Sequence, residues 1–167
     1  MQAGAADKTI IAWDTATHQQ LRVLKGHTAG VHSLALSPDG RTLYSGGADK
    51  CIRVWQTEDG RWLRSFAGAH TGFVTALAVS PDGQVLFSGC DGLFGDSAIK
   101  AWRTADGECA CTTAGQAKGI NMLVVSPDGT ALYSASGDGM IVAREIRRGT
   151  RSFEQLGTKM KHGFLTE

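Results

Sequence analysis

The sequence predicts an all-β protein assembled from repeated units of four antiparallel strands, and three observations carry that expectation. One phrase recurs: "SPDGRTLYSGGADKCIRVW" (Ser37–Trp55), "SPDGQVLFSGCDGLFGDSAIKAW" (Ser80–Trp102) and "SPDGTALYSASGDGMIVAR" (Ser126–Arg144) keep one order of turn, apolar run, Ser and Asp. The spacing is regular: Pro38, Pro81 and Pro127 lie 43 and 46 positions apart, and Asp7, Asp49, Asp96 and Asp138 lie 42, 47 and 42 apart. A period of about 40–45 residues marks stacked supersecondary units. No stretch carries helical periodicity, whereas short β-rich runs are frequent.

Within a unit, each element has its own signal. "VHSLALS" and "FVTALAVS" alternate toward small and apolar residues, as a half-buried strand does. Pro-Asp-Gly follows, with Pro presetting φ and Gly admitting a positive one, so the chain turns. "TLYSGG" and "CIRVW" supply two further strands, and "TEDG" or "TADG" turns the chain into the fourth.

Gly26-His27, Val31 with Leu34, Ser37-Pro38-Asp39-Gly40, Ser45-Gly46-Gly47, Asp49 and Ile52-Arg53-Val54-Trp55 together resemble one unit of the WD-repeat (WD40) β-propeller family. The resemblance extends over nearly the whole chain. It implies one four-stranded blade per repeat, with strands a to d running from the centre outward. On that template residues 1–25 form half a blade, with Thr9–Trp13 as strand c and Gln20–Leu24 as strand d. Residues 26–68 and 69–114 form two full blades. Residues 115–156 form a degenerate one, with Arg144 where the pattern has Trp and Gln116 where it has His. Residues 157–167 read as a tail or the start of another strand.

His27, Ser45 and Asp49 are the side chains of a hydrolase triad, and His70, Ser88 and Asp96 repeat them. A Trp stands six positions after each Asp, at Trp55 and Trp102. A nucleophilic site needs one pocket and has no reason to recur with every blade. The resemblance implies instead that His, Ser, Asp and Trp form a buried tetrad tying the loop before strand a to strands b and c. Such a chain of donors and acceptors satisfies each group in turn.

Function is then expected on surfaces. The resemblance implies protein or peptide partners held across the end where loops enter strand a and join strands b and c. The positions carried over are His32, Phe73, Thr75 and Asn121. The second full blade adds a four-residue insertion, "CDGLFGD", whose Leu93 and Phe94 either meet a partner or, for Phe94, fold back onto the blade.

Composition narrows the rest. Seventeen Lys plus Arg against sixteen Asp plus Glu leave a net charge of +1, which supplies no field for nucleic acid or an anionic membrane. Arg144, Arg147, Arg148 and Arg151 cluster but are interrupted by Glu145 and Glu154, and read as a solvated face. The N-terminus lacks the pattern of a secretory signal and no run approaches the roughly 20 apolar residues of a membrane span. The chain therefore reads as intracellular, in the cytoplasm or the nucleus. Cys51, Cys90, Cys109 and Cys111 contain no Cys-x-x-Cys pair and read as reduced packing thiols, with no metal. The glycines of "SGGADK" are followed by no Gly-Lys-Ser/Thr, so no cofactor is expected.

About three and a half repeats fall short of the 4–8 blades that close a propeller. The chain starts in mid-blade, with "AGAAD" aligned to "SGGAD" and Ala3 in the place of the tetrad Ser. The favoured expectation is a fragment of a longer propeller protein. Two copies closing an eight-bladed ring, or a four-bladed closure within one chain, are the alternatives. The expected function is a non-catalytic interaction scaffold. A substrate-receptor or targeting module of a ubiquitin ligase or kinase, and a Ser-His-Asp hydrolase, are the other readings.

Overall fold

The computed structural model describes residues 2–3, 7–66, 68–92, 96–148, 153–156 and 160–162, with side chains from 7 to 147. Leu93 and Phe94 lie outside the described residues. Sixteen strands, and no helix, are found among them. The first sheet holds β1 (Gln2–Ala3), β2 (Thr9–Trp13) and β3 (Gln20–Lys25). The second is a meander of β4 (Val31–Leu36), β5 (Thr42–Gly47), β6 (Ile52–Gln56) and β7 (Trp62–Phe66). The third repeats it with β8 (Val74–Val79), β9 (Val85–Cys90), β10 (Ala98–Arg103) and β11 (Cys109–Ala114). The fourth holds β12 (Ile120–Val125), β13 (Ala131–Ser136), β14 (Ile141–Arg148) and β15 (Phe153–Leu156), and β16 (Met160–His162) pairs with the first half of β14. All pairings are antiparallel, and β8 lies between the other inner strands β4 and β12. Among the described residues this is a partial propeller, with blades side by side and no closed ring.

The Ser-Pro-Asp-Gly turn explains why strands a and b meet in a fixed register. Ser37 Oγ donates to Asp39 Oδ1 (2.6 Å), Asp39 Oδ1 accepts the Arg41 N–H (3.0 Å), and Ser37 Oγ accepts the Thr42 N–H (2.9 Å). Ser80-Asp82 and Ser126-Asp128 repeat the arrangement. Gly40, Gly83 and Gly129 take φ near 71–73°, which a side chain would strain. The turn between strands c and d clasps this one, since Thr57 and Thr104 donate to the Gly40 and Gly83 carbonyls at 2.7 Å each. In the fourth sheet Ile146 stands there and keeps only the backbone bond, to Thr130.

The core lies in the seams between sheets, because alternate residues of each strand face opposite neighbours. Trp55 and Leu43 pack back onto Ile10 and Leu24, while Ile52 and Val54 pack forward with Val74, Leu86 and Trp102. Phe87, Ile99, Ile120 and Leu132 fill the third seam. Each such large side chain contributes about 1.5–3 kcal/mol on burial. The blades approach so closely that strand b tolerates no side chain at one position. A Cβ on Gly46 would lie 2.4 Å from Val74 Cγ1, and one on Gly89 would lie 2.6 Å from Ile120 Cβ. The equivalent Ala135 pairs with Met122 and Ile141 on a face that the described residues leave exposed.

Arg144 departs from the solvated-face expectation. It is only 2% exposed, because it alternates with the buried Val142 and Ile146 along β14 and so points into the seam. Arg147, on the opposite parity from Ile146, is exposed and pairs with Glu145. All four cysteines are free thiols, with Cys90 buried, Cys51 and Cys111 half-buried and Cys109 exposed.

Candidate functional site

One end of the sheets carries the loops that enter the inner strands and the turns that join strands b and c. In the second sheet, His27 sits in the loop before β4 with Nδ1 2.9 Å from both Asp49 oxygens and Nε2 2.7 Å from Ser45 Oγ. Trp55 Nε1 donates to the same Ser45 oxygen at 2.8 Å. Asp49 also accepts the Thr28 N–H (3.0 Å), which ties loop to turn. In the third sheet, His70 Nε2 and Trp102 Nε1 each lie 2.8 Å from Ser88 Oγ, and His70 Nδ1 lies 3.3 Å from Asp96 Oδ1. The structure thus brings His27, Ser45, Asp49 and Trp55 together, and likewise His70, Ser88, Asp96 and Trp102.

The aspartates sit where they do for a local reason. Asp7, Asp49, Asp96 and Asp138 each accept the N–H two residues on, a side-chain turn that lets the next residue take a positive φ. Those next residues are Lys8, Lys50, Ser97 and Gly139, with φ of 63°, 65°, 47° and 79°.

Burial pushes the His27 and His70 pKa down, against the pull of their aspartates upward, so both rings stay neutral. Burial would raise the Asp49 and Asp96 pKa, but hydrogen bonds from Thr28 N–H and His27 to the first, and from Cys90, Ala98 N–H and His70 to the second, hold both below the ordinary value. The proton order that satisfies every group has imidazole Nδ1–H donating to the carboxylate, the Ser hydroxyl donating to Nε2, and the indole N–H donating to the Ser oxygen.

The fourth sheet holds an arrangement that sequence reading marked only as departures. Ser134 Oγ donates to Gln116 Oε1 (2.7 Å) and accepts from Arg144 (2.9 Å). Gln116 Nε2 donates to the Met140 carbonyl, and Arg144 donates to the Ala114 carbonyl across the seam. Gln replaces His and Arg replaces Trp around the same Ser, so the two exchanges are complementary. Desolvation lowers the Arg144 pKa, and no carboxylate pairs with it among the described residues. The signal that could have found this was Ser134, which kept its place while both partners changed.

The expected contact residues lie at the inner-strand ends. His32 is exposed and Phe73 half-buried, and their rings stack across the seam with centroids 6.0 Å apart at 21°. Asn121 is exposed at the start of β12. Thr75 is half-buried and its hydroxyl donates to the Ile120 carbonyl, a bond between blades. A cleft between the second and third sheets opens at the opposite end, lined by Pro38, Tyr44, Leu63, Arg64 and Thr104.

Comparison with known proteins agrees with this geometry. The family model for the WD domain, G-beta repeat, matches residues 18–56, 60–103 and 107–142, more than half of the chain. The chain belongs to the WD-repeat family. It is 29% identical over 141 residues to Protein FIZZY-RELATED 3 of Arabidopsis thaliana, and 32% identical over 141 residues to the B-type cell cycle switch protein ccs52B of Medicago truncatula. Each match covers 83% of this chain and 28% of the relative's length. A shorter match, 37% over 59 residues, covers 35% of the chain and 8% of Protein groucho of Drosophila melanogaster. The WD-repeat chain therefore spans a little over a quarter of the length of the first two relatives. No helix among the described residues is long and apolar enough to cross a membrane.

Proposed function

We propose that the chain is a non-catalytic, intracellular scaffold that holds a protein or peptide partner across the end bearing His32, Phe73 and Asn121. The observation that carries this reading is the stack of exposed His32 on half-buried Phe73, an aromatic pair spanning two blades whose loops are pinned by tetrads. Rigid aromatic surface loses little entropy on binding and suits a hot spot. Thr75 contributes by fixing Ile120 next to Asn121. Catalysis is disfavoured because Ser45 and Ser88 are fully buried, each oxygen already holding two partners.

The test is a peptide selected from a displayed library on the folded chain, measured against His32→Ala with Phe73→Ala. We expect affinity to fall by about thirtyfold, the scale of a hot-spot pair, with little change in melting temperature. Equal binding by the double variant would overturn the reading. A second reading, a targeting module within a larger regulatory complex, draws on the cell cycle switch protein among its relatives. It predicts that the selected peptide surface is used by a subunit of the same complex.

A further inference from the structure

The two complete tetrads differ by one side chain at one place. Gly47 stands two residues after Ser45, and Cys90 stands two residues after Ser88. A Cβ on Gly47 would lie 2.8 Å from the Gly30 carbonyl oxygen, 3.0 Å from His27 Nδ1 and 3.1 Å from Asp49 Oδ1, so a side chain at this position meets the imidazole and carboxylate beside the backbone of the entering loop. In the third sheet that is where the thiol goes. Cys90 Sγ donates to Asp96 Oδ1 at 2.8 Å, and the His–Asp contact, 2.9 Å to both oxygens in the second sheet, is 3.3 Å to one. Ligand atoms of His70, Cys90 and Asp96 all lie within 4.8 Å of one another.

We infer that His70, Cys90 and Asp96 form a binding site for a single thiophilic divalent cation of the zinc class. Imidazole nitrogen, thiolate sulfur and carboxylate oxygen are the donor set that tetrahedral zinc takes. Bonds of about 2.0–2.3 Å at tetrahedral angles place nitrogen and oxygen about 3.3 Å apart, and sulfur and oxygen about 3.5 Å apart. The first separation is already present. The second requires the Asp96 oxygen to retreat by about 0.7 Å on the same reckoning. Asp96 can do so, since its side chain is 30% exposed and its loop is four residues longer than the one holding Asp49. The exposed side of Asp96 leaves the fourth position to water. Lys100, 3.9 Å from the other Asp96 oxygen, stays on the outside of the carboxylate.

Binding moves two protons and releases one. The Cys90 S–H gives its proton to solvent as the metal–sulfur bond forms. The His70 proton passes from Nδ1, which takes the metal, to Nε2, which then donates to Ser88 Oγ. That oxygen then accepts both this bond and the one from Trp102, and its own buried hydrogen loses its partner, a cost that the metal–ligand bonds must exceed. The second sheet, with Gly47 in place of the sulfur, is the internal control.

The experiment is titration of the 167-residue chain with Co²⁺, read by the near-ultraviolet thiolate charge-transfer band and the visible bands of tetrahedral cobalt. We expect one Co²⁺ per chain, displaced by Zn²⁺, with one proton released per ion and a rise in melting temperature. Cys90→Gly, which copies the second sheet, should abolish the band while keeping the far-ultraviolet circular dichroism of the parent. Asp96→Asn should weaken binding more than about tenfold, since even an outer-shell partner of a ligand is worth about 10–100-fold. Cys109→Ser with Cys111→Ser should leave it unchanged. No thiolate band, a band that survives Cys90→Gly, or one lost with Cys109 and Cys111 would each overturn the assignment.

Discussion

Replacing Ser88 by Ala tests what the tetrads do. The Ser88 oxygen is fully buried and holds Trp102 Nε1 and His70 Nε2 at 2.8 Å each. Its removal leaves one indole N–H and one imidazole nitrogen buried without a partner, at about 1–3 kcal/mol apiece, so about 2–6 kcal/mol in all. At roughly 2–4 °C per kcal/mol for a chain of this size, the melting temperature should fall by about 4–24 °C. Urea denaturation followed by tryptophan fluorescence reads the free energy, and hydrolysis of a simple aryl ester is measured on the same samples. Ser45→Ala should cost a similar amount, and the two losses should add because the serines share no partner. A loss under about 0.5 kcal/mol, the level of an unremarkable surface change, would refute the structural role. Ester hydrolysis present in the parent and abolished in the variant at unchanged stability would instead identify a nucleophile.

Two further outcomes follow from the same groups. Burial holds the His27 and His70 pKa below 6.5, so the unfolded chain binds more protons once the pH drops beneath that value. The urea midpoint should be level between pH 6.5 and about 9, fall above that because burial pushes the Cys90 thiol up to about 12, fall on acidification as the pH descends through the folded-state histidine values, and fall again below 3.8 as Asp49 and Asp96 protonate; a midpoint that rises as the pH drops below 6.5 would contradict this. Gln116→His combined with Arg144→Trp should stabilise the fourth sheet by about 1–4 kcal/mol, the scale of exchanging a buried charge for an apolar group, because the indole keeps the one N–H that Ser134 accepts. A lower urea midpoint would show that the Arg144 bond to Ala114 outweighs the desolvated charge.

The fold was legible because its rules are local. Ser-Pro-Asp-Gly sets its own turn through bonds that span five residues or fewer, and strand alternation decides which side chains enter a seam. Arg144 shows the limit of composition without register. Counted with Arg147 and Arg148 it looks like part of a charged face, but its parity with Val142 and Ile146 sends it inward, where Ser134 and the Ala114 carbonyl receive it. Gln116 and Arg144 were each visible as an exception, yet their fit is visible only around the Ser134 oxygen that both touch.

The cation site was illegible for a different reason. Searching the cysteines for Cys-x-x-Cys asks for ligands on one short loop, whereas positions 70, 90 and 96 belong to three segments that meet only when the loop before β8 closes over the end of β9. The repeat itself supplies the better question, which is what changes when Gly47 becomes Cys90. At Gly47 the space is filled by the His–Asp pair in tight contact; at Cys90 a thiol enters that space, and the pair opens toward the separation that nitrogen and oxygen keep around a tetrahedral ion. The sulfur and the neighbouring imidazole converge on the same carboxylate oxygen. Cys90→Gly, which rebuilds the second sheet's arrangement in the third, therefore separates ion binding from structural bonding more sharply than removing either tetrad could.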